Sequence, residues 1–263
     1  MEKLTHLEIN SAVATVTLTR ADKRNALKRE TLKQLATHLE TVRENNAVRV
    51  LVFAADGEVF CAGMDLGEMQ ERANSSSSKE EWQRDSEFYC EVLQRLYSLR
   101  IPTIAAVGGP ALAGGVGLVL ACDLVVASQN ASFMLPEPMR GITAAMVTPL
   151  LIHRVGAGPA TGLLLSGEKW TAERAFTLGL CHDVVATEQF AVRVQQLTHN
   201  ILTGSREALS ITKEHVSRMT GGLIGQQLLD SIDISALARE TVDAREGLQA
   251  FLEKRKPKWQ PKN

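Results

Sequence analysis

Two glycine-bearing turns and one carboxylate are the parts of this sequence best suited to chemistry. One turn lies in Ile101 to Glu137, IPTIAAVGGPALAGGVGLVLACDLVVASQNASFMLPE. There Gly108-Gly109-Pro110 ends an apolar run, Gly114-Gly115 stand near the start of a stretch of small residues, and Glu137 follows. The other lies in Asp56 to Met69, DGEVFCAGMDLGEM. Glycine where a turn enters a helix lets another backbone or a ligand approach closely. The first amides of a helix have no internal partner and point outward at the positive end of its dipole. Turns near Met64 and Gly114 that aim amides at a common point would hold an oxygen gaining negative charge, as an oxyanion hole does. The plain reading is that these glycines only let helices pack tightly on a sheet. Asp65 has an equally plain role as a helix cap.

The elements that must position these turns follow from periodicity. Residues 4 to 19 alternate around Asn10-Ser11 and predict a hairpin of two half-buried strands. Lys28 to Asn46 carries Leu32, Leu35, Leu39 and Val42 at helical spacing. Val48 to Ala54, Ile104 to Val107 and Asp123 to Ala127 read as buried strands, and Ala111 to Leu120 as a buried helix. A helix followed by such a strand implies a right-handed crossover onto a parallel sheet. Asn74 to Lys79, NSSSSK, reads as a mobile loop, either a lid or a surface connection. Glu80 to Leu99 follows as a helix with Phe88, Val92, Leu96 and Leu99 on one stripe. An apolar helix is expected from Thr143 to Leu151, then short helices around Gly167, a strand at Leu180 to Val185 and helices to Arg255. The division is a core over 1–190 and a C-terminal helical extension over 191–263 that assembles subunits and covers the site.

The chain has 263 residues, 44% hydrophobic and 22% charged, with a net charge of -1. This is an ordinary globular composition with no footprint for nucleic acid or an anionic membrane. No apolar run reaches a membrane span of roughly 18 residues. MEKLTHLEIN lacks the blocks of a signal peptide. Cys61, Cys90, Cys122 and Cys181 are widely spaced without a CxxC pair, so no metal site is expected and reduced cytoplasmic thiols are. GxSxG, GxxxxGK and HExxH are absent, and Gly115-Val116-Gly117 lacks the third glycine of a dinucleotide fingerprint. His153 and His182 are expected to be structural.

The chain resembles the crotonase family, the enoyl-CoA hydratases and isomerases. The matching stretches are KRNAL (Lys23 to Leu27), FCAGMDL (Phe60 to Leu66), GPALAGGVGLVLACDLVVA (Gly109 to Ala127) and LPE (Leu135 to Glu137). LLLSGEKWTAERAFTLGL (Leu163 to Leu180) and EGLQAFLEKRKPKW (Glu246 to Trp259) extend the match to almost the whole chain. The resemblance implies an α/β fold, a spiral of repeated ββα units with a helical C-terminal region, assembled as homotrimers or a homohexamer. It implies an acyl-CoA thioester substrate, with coenzyme A part of the substrate and no separate cofactor. The thioester carbonyl would lie between the amides of Met64 and Gly114. Ala26 and Ala62 would take the adenine end and Lys23 or Arg24 the phosphates, and Asp65, Leu66 and Gly117 would also bind the substrate. Phe251 and Lys254 match positions reaching the coenzyme of a neighbouring subunit.

One departure stands out. Classical hydratases carry a glutamate three positions after the GG pair and a second in the PE dipeptide. Here the first position is Gly117 and only Glu137 remains. Glu137 must then be the acid/base, a task suited to a carboxyl whose pKa is raised by burial. Hydration or dehydration is the leading expectation, in part because ITAAMVTP (Ile142 to Pro149) is similar to the variant acting on branched or carboxylated acyl groups. The alternatives are an isomerase moving the double bond with the same glutamate, and a non-catalytic acyl-CoA binder.

Overall fold

The computed structural model describes residues 2–75, 77–220 and 222–261. Strands β1 (Thr5–Asn10) and β2 (Val13–Leu18) form the expected antiparallel hairpin. Helix α1 (Arg29–Glu44) then crosses to β3 (Val50–Ala55), which pairs parallel with β2. Helices α2 (Leu66–Ala73) and α3 (Ser78–Tyr97) lead to β4 (Thr103–Val107), parallel to β3. A two-residue strand β5 (Ala111–Leu112) enters α4 (Gly114–Leu120), and β6 (Leu124–Ser128) returns beside β4. Strand β7 (Ser132–Met134) and a 3-10 turn (Glu137–Arg140) follow. Next come α5 (Thr148–Val155), α6 (Ala157–Ser166), β8 (Trp170–Thr171), α7 (Ala172–Thr177) and β9 (Asp183–Val185). Helices α8 (Phe190–Thr203), α9 (Arg206–Thr220), α10 (Ile224–Glu240) and α11 (Val242–Leu252) close the chain.

The main sheet has the order β1-β2-β3-β4-β6-β9. Its central strands are apolar on both faces because both faces are covered. Val16, Leu51, Phe53, Ala105 and Val125 face the large core under α1, α3 and α4. Val50, Val52, Ile104 and Val126 face the other way, against Phe190, Val194 and Leu197 of α8. The helical region that begins near residue 190 thus starts as one wall of the sheet's own core. All four cysteines are free and buried.

Several boundaries differ from the sequence reading. Ala111–Leu112 is strand, so α4 starts only at Gly114, and the small sheet β5-β7-β8 has no counterpart in the sequence reading. Strands of two or three residues are too short to show a period. Helix α5 starts at Thr148 because Pro149 belongs in a first turn, where its missing N–H costs nothing. Ser78 and Lys79 belong to α3, and Ser76 lies outside the described residues. Ion pairs tie the helices around that connection: Arg72 meets Asp85 at 2.5 Å, and Arg29 meets Glu81 and Asp85, each at 2.6 Å. Val92, Leu96 and Leu99 of the expected stripe are buried, and only its first residue departs from it. Phe88 is only half-buried, under Arg29 and Lys33, while Trp82, Tyr89 and Leu93 point inward.

Candidate active site

Three short segments run parallel and end at one place. Cys61 bridges to Ala111, and β5 pairs with β7 through Ala111 to Phe133 and Leu112 to Met134. The Leu112 N–H donates to the Cys61 carbonyl at 2.8 Å and the Ala113 N–H to the Met134 carbonyl at 2.9 Å. Leu27 grips the first segment from its far side, donating to the Gly63 carbonyl at 2.8 Å and accepting from the Asp65 N–H at 2.9 Å. Because the segments share a direction, the residues just past them emerge together. These are Met64, Gly114 and Glu137, and all three line one cavity.

Each of the two turns is bent by a residue of positive φ. Gly63 has φ +84° and Ala113 has φ +51°. The first is cheap for glycine; the second strains an alanine by about 1 to 3 kcal/mol. Both turn the following peptide plane out of its ladder. Among the described residues neither the Met64 nor the Gly114 N–H donates to a protein acceptor outside a helix. A Cβ on Gly63 would stand 2.6 Å from the Ala113 Cβ and 3.3 Å from the Gly114 nitrogen, so the two turns touch.

Glu137 is 7% exposed, and its Oε2 has no hydrogen-bond partner among the described residues. Burial pushes its carboxyl up to about 7, outweighing the downward pull of its own backbone amide, Arg140 and Arg239. At neutral pH it is therefore poised to take or give a proton. Tyr89, from α3, closes the cavity beside it. Its hydroxyl donates to the Gly114 carbonyl at 2.6 Å, and burial keeps it neutral by raising its pKa well above the usual range.

The comparisons with known proteins meet this geometry. The family model described as enoyl-CoA hydratase/isomerase matches residues 8–262. The chain is 35% identical over 246 residues to a 2,3-dehydroadipyl-CoA hydratase of Escherichia coli K12, covering 93% of this chain and 94% of that protein. It is 32% identical over 257 residues to a 1,2-epoxyphenylacetyl-CoA isomerase of the same organism, covering 97% of each. The crystal structure of an enoyl-CoA hydratase from Mycobacterium avium superposes with a TM-score of 0.87 at 31% identity, over 99% of this chain and 100% of that one. The chain belongs to the enoyl-CoA hydratase/isomerase family. It is an acyl-CoA enzyme of that type.

Within the family framework, two of the expected site residues are displaced. A Cβ on Gly117 would lie 2.1 Å from the Tyr89 hydroxyl oxygen, so Gly117 sits beneath Tyr89 and does not line the cavity. The tyrosine stands over the position where classical members carry their first glutamate. Asp65 caps α2, accepting from the Gly67 and Glu68 amides at 2.9 and 3.2 Å, and pairs with Arg20 at 2.6 Å. Its carboxylate is spent on structure, while Leu66 beside it does line the cavity. Lys23, Arg24, Ala26 and Ala62 gather outside the cavity, where the Ala62 N–H donates to the Arg24 carbonyl at 3.0 Å. Phe251 lies against Arg140 of its own chain, 4.6 Å from guanidinium carbon to ring centroid, and the Lys254 N–H donates to the Phe251 carbonyl. Phe251 thus packs on an arginine that lines its own subunit's cavity.

Sequence reasoning missed Tyr89, Arg140 and Arg239, which line the same cavity as Glu137. A glycine at 117 is the only sign that something bulky approaches there, and it does not say what. Arg239 is about a hundred residues from Glu137 in the chain, and no local pattern announces such a pairing. Among the described residues no group of three or more His, Cys, Asp or Glu side chains is arranged to hold a metal ion. No described helix is long and apolar enough to cross a membrane.

Proposed function

We propose that this protein adds water to, or removes it from, an enoyl-CoA thioester, with Glu137 as its single acid/base. The amides of Met64 and Gly114 hold the thioester oxygen as it becomes an enolate. Glu137 takes a proton from water as the water oxygen bonds to C3, and returns that proton to C2. One carboxylate then serves both transfers, so water and proton arrive on the same face of the double bond. The observation that carries this reading is a buried, unpartnered Glu137 facing two free amides in one cavity. Tyr89 already donates to the Gly114 carbonyl, which leaves its oxygen as an acceptor for that water.

A second reading has its own support. With Gly117 covered by Tyr89, no second carboxylate lines the cavity among the described residues, and one carboxylate suffices to carry a proton from C4 to C2. One similar protein is a 1,2-epoxyphenylacetyl-CoA isomerase. Coenzyme A enters as part of the substrate, with its nucleotide end by Lys23, Arg24, Ala26 and Ala62. Assembly as a homotrimer or homohexamer is supported by the exposed Ile211, Val216 and Met219 on α9.

The test is mass spectrometry of enoyl-CoA thioesters incubated with the protein in D2O. Hydration gives a product one water heavier with one carbon-bound deuterium. Isomerisation gives deuterium and a shifted double bond without added water. Tight binding with no change in any thioester would remove both catalytic readings.

A further inference from the structure

The cavity holds more positive charge than the hydration chemistry uses. Arg140 and Arg239 both line it, and both also line an adjoining pocket whose other walls include Leu66, Met69, Trp82, Ile142 and Leu248. Among the described residues neither guanidinium comes within ion-pairing distance of a carboxylate. Arg239 spends Nη1 on its own helix, donating to the Ser235 carbonyl at 2.6 Å and to the Ser235 hydroxyl, and rests 6.0 Å from the Trp82 ring centroid. Its remaining donors are unclaimed. Asp85, the acidic neighbour it feels most, is already shared by Arg29 and Arg72. Arg140 stacks on the face of Phe251 and feels the charge of Glu137 across the cavity, but among the described residues it makes no ion-pairing contact.

A guanidinium withdrawn from water without a counter-ion is costly, so such a site favours an anionic occupant. The enolate oxygen has its own donors in Met64 and Gly114. Arg239 instead sits among the apolar side chains Leu66, Met69, Trp82, Ile142 and Leu248, which suit an acyl chain and not a hydrated phosphate. Resting on the reading that this cavity takes an enoyl-CoA, we infer that the acyl chain of the substrate carries a second carboxylate at its far end. Arg239 receives that carboxylate through its planar fork, with Arg140 as the second cation. Arg239 is thereby a specificity-determining residue. The plain alternative is that it merely terminates α10 and stacks on Trp82. Another source of anion is the coenzyme phosphates.

Two thioesters that differ only in the distal carboxylate separate these. Calorimetric binding of hexanoyl-CoA and adipyl-CoA reads the site without requiring turnover, so it stands even if Glu137 proves uninvolved. The native protein is expected to bind adipyl-CoA about 10- to 100-fold more tightly. In Arg239→Met that ratio collapses towards one, and in Arg239→Lys it is partly restored. The matched enoyl pair should show the same ratio in kcat/KM. Equal affinity for both thioesters in the native protein overturns the inference while leaving the hydratase reading intact. An equal loss for both in Arg239→Met also overturns it, by assigning the arginine to the coenzyme or to structure. Absence of turnover with the adipyl preference retained would instead overturn only the catalytic reading.

Discussion

The two walls of the cavity are built on different principles. One wall is backbone. The Met64 and Gly114 amides are fixed by parallel ladders through Leu27, Cys61, Ala111 and Met134, and only the turn residues Gly63 and Ala113 are special. The other wall is side chain. Glu137, Arg140 and Arg239 reach in from a 3-10 turn and from α10, and among the described residues Glu137 Oε2 has no hydrogen-bond partner. A backbone wall tolerates changes of residue type and determines what kind of oxygen is stabilised. A side-chain wall changes its chemistry with each substitution. On the proposed function, the first wall holds the thioester oxygen, and the second moves the proton and selects the acyl group.

The largest expected effect strikes the side-chain wall. Glu137→Gln should lower turnover by about 10²- to 10⁴-fold while calorimetric affinity for a saturated acyl-CoA changes little. Retained turnover would take the proton chemistry away from this wall. The backbone wall is tested next by Gly63→Ala, whose Cβ would press on Ala113 at a φ of +84°. Misplacing an oxyanion donor should cost roughly 10²- to 10³-fold in kcat. A lowered melting temperature with kcat intact would show that the turn is structural only.

The third expectation uses the Glu137 carboxyl, raised from 4.5 to about 7 by burial. Between those values the folded chain holds a proton that the unfolded chain releases. This contribution to stability is thus full below pH 4.5 and lost as pH rises through about 7. Glu137→Gln should melt like the native protein near pH 4.5 and gain on it by up to about 3 kcal/mol above pH 7. Melting curves that stay parallel across the range would refute a buried titrating carboxyl. In the same window kcat/KM should fall with decreasing pH as the base is protonated.

The smallest effect sharpens the boundary between the walls. Gly117→Glu forces a side chain into the Tyr89 hydroxyl and should destabilise by about 1 to 3 kcal/mol. Pairing it with Tyr89→Ala should recover part of that loss, a non-additivity measured by denaturant titration. Strict additivity would mean that Tyr89 does not occupy the space.

The two walls were also unequally legible. The stripe Leu32, Leu35, Leu39 and Val42 is buried as its spacing requires, and the glycine-bearing turns lie where small residues allow close approach. Glu137 was visible because a carboxylate stands just past an apolar strand run. The sheet β5-β7-β8 was invisible, since its strands are two or three residues long and are held by partners distant in sequence. Tyr89 was missed because the apolar stripe of α3 can be drawn through Phe88, and only packing shows which aromatic faces inward. Arg239 was missed because charge on an amphipathic helix ordinarily faces water.

One packing detail reaches beyond the site. Gly141 lies so close to the Asp243 carbonyl that a Cβ would stand 2.3 Å from it, and Gly247 so close to the Arg140 carbonyl that the distance would be 2.2 Å. The segment bearing Glu137 is thus clasped, backbone to backbone, by the last helix. At synthesis rates of about 5 to 20 residues per second, roughly 5 to 20 s separate the making of Glu137 from that of its clasp. During that interval the turns at Met64 and Gly114 have been made, but the cavity has no far wall. A nascent chain halted before α11 would carry those turns without the enclosure they border.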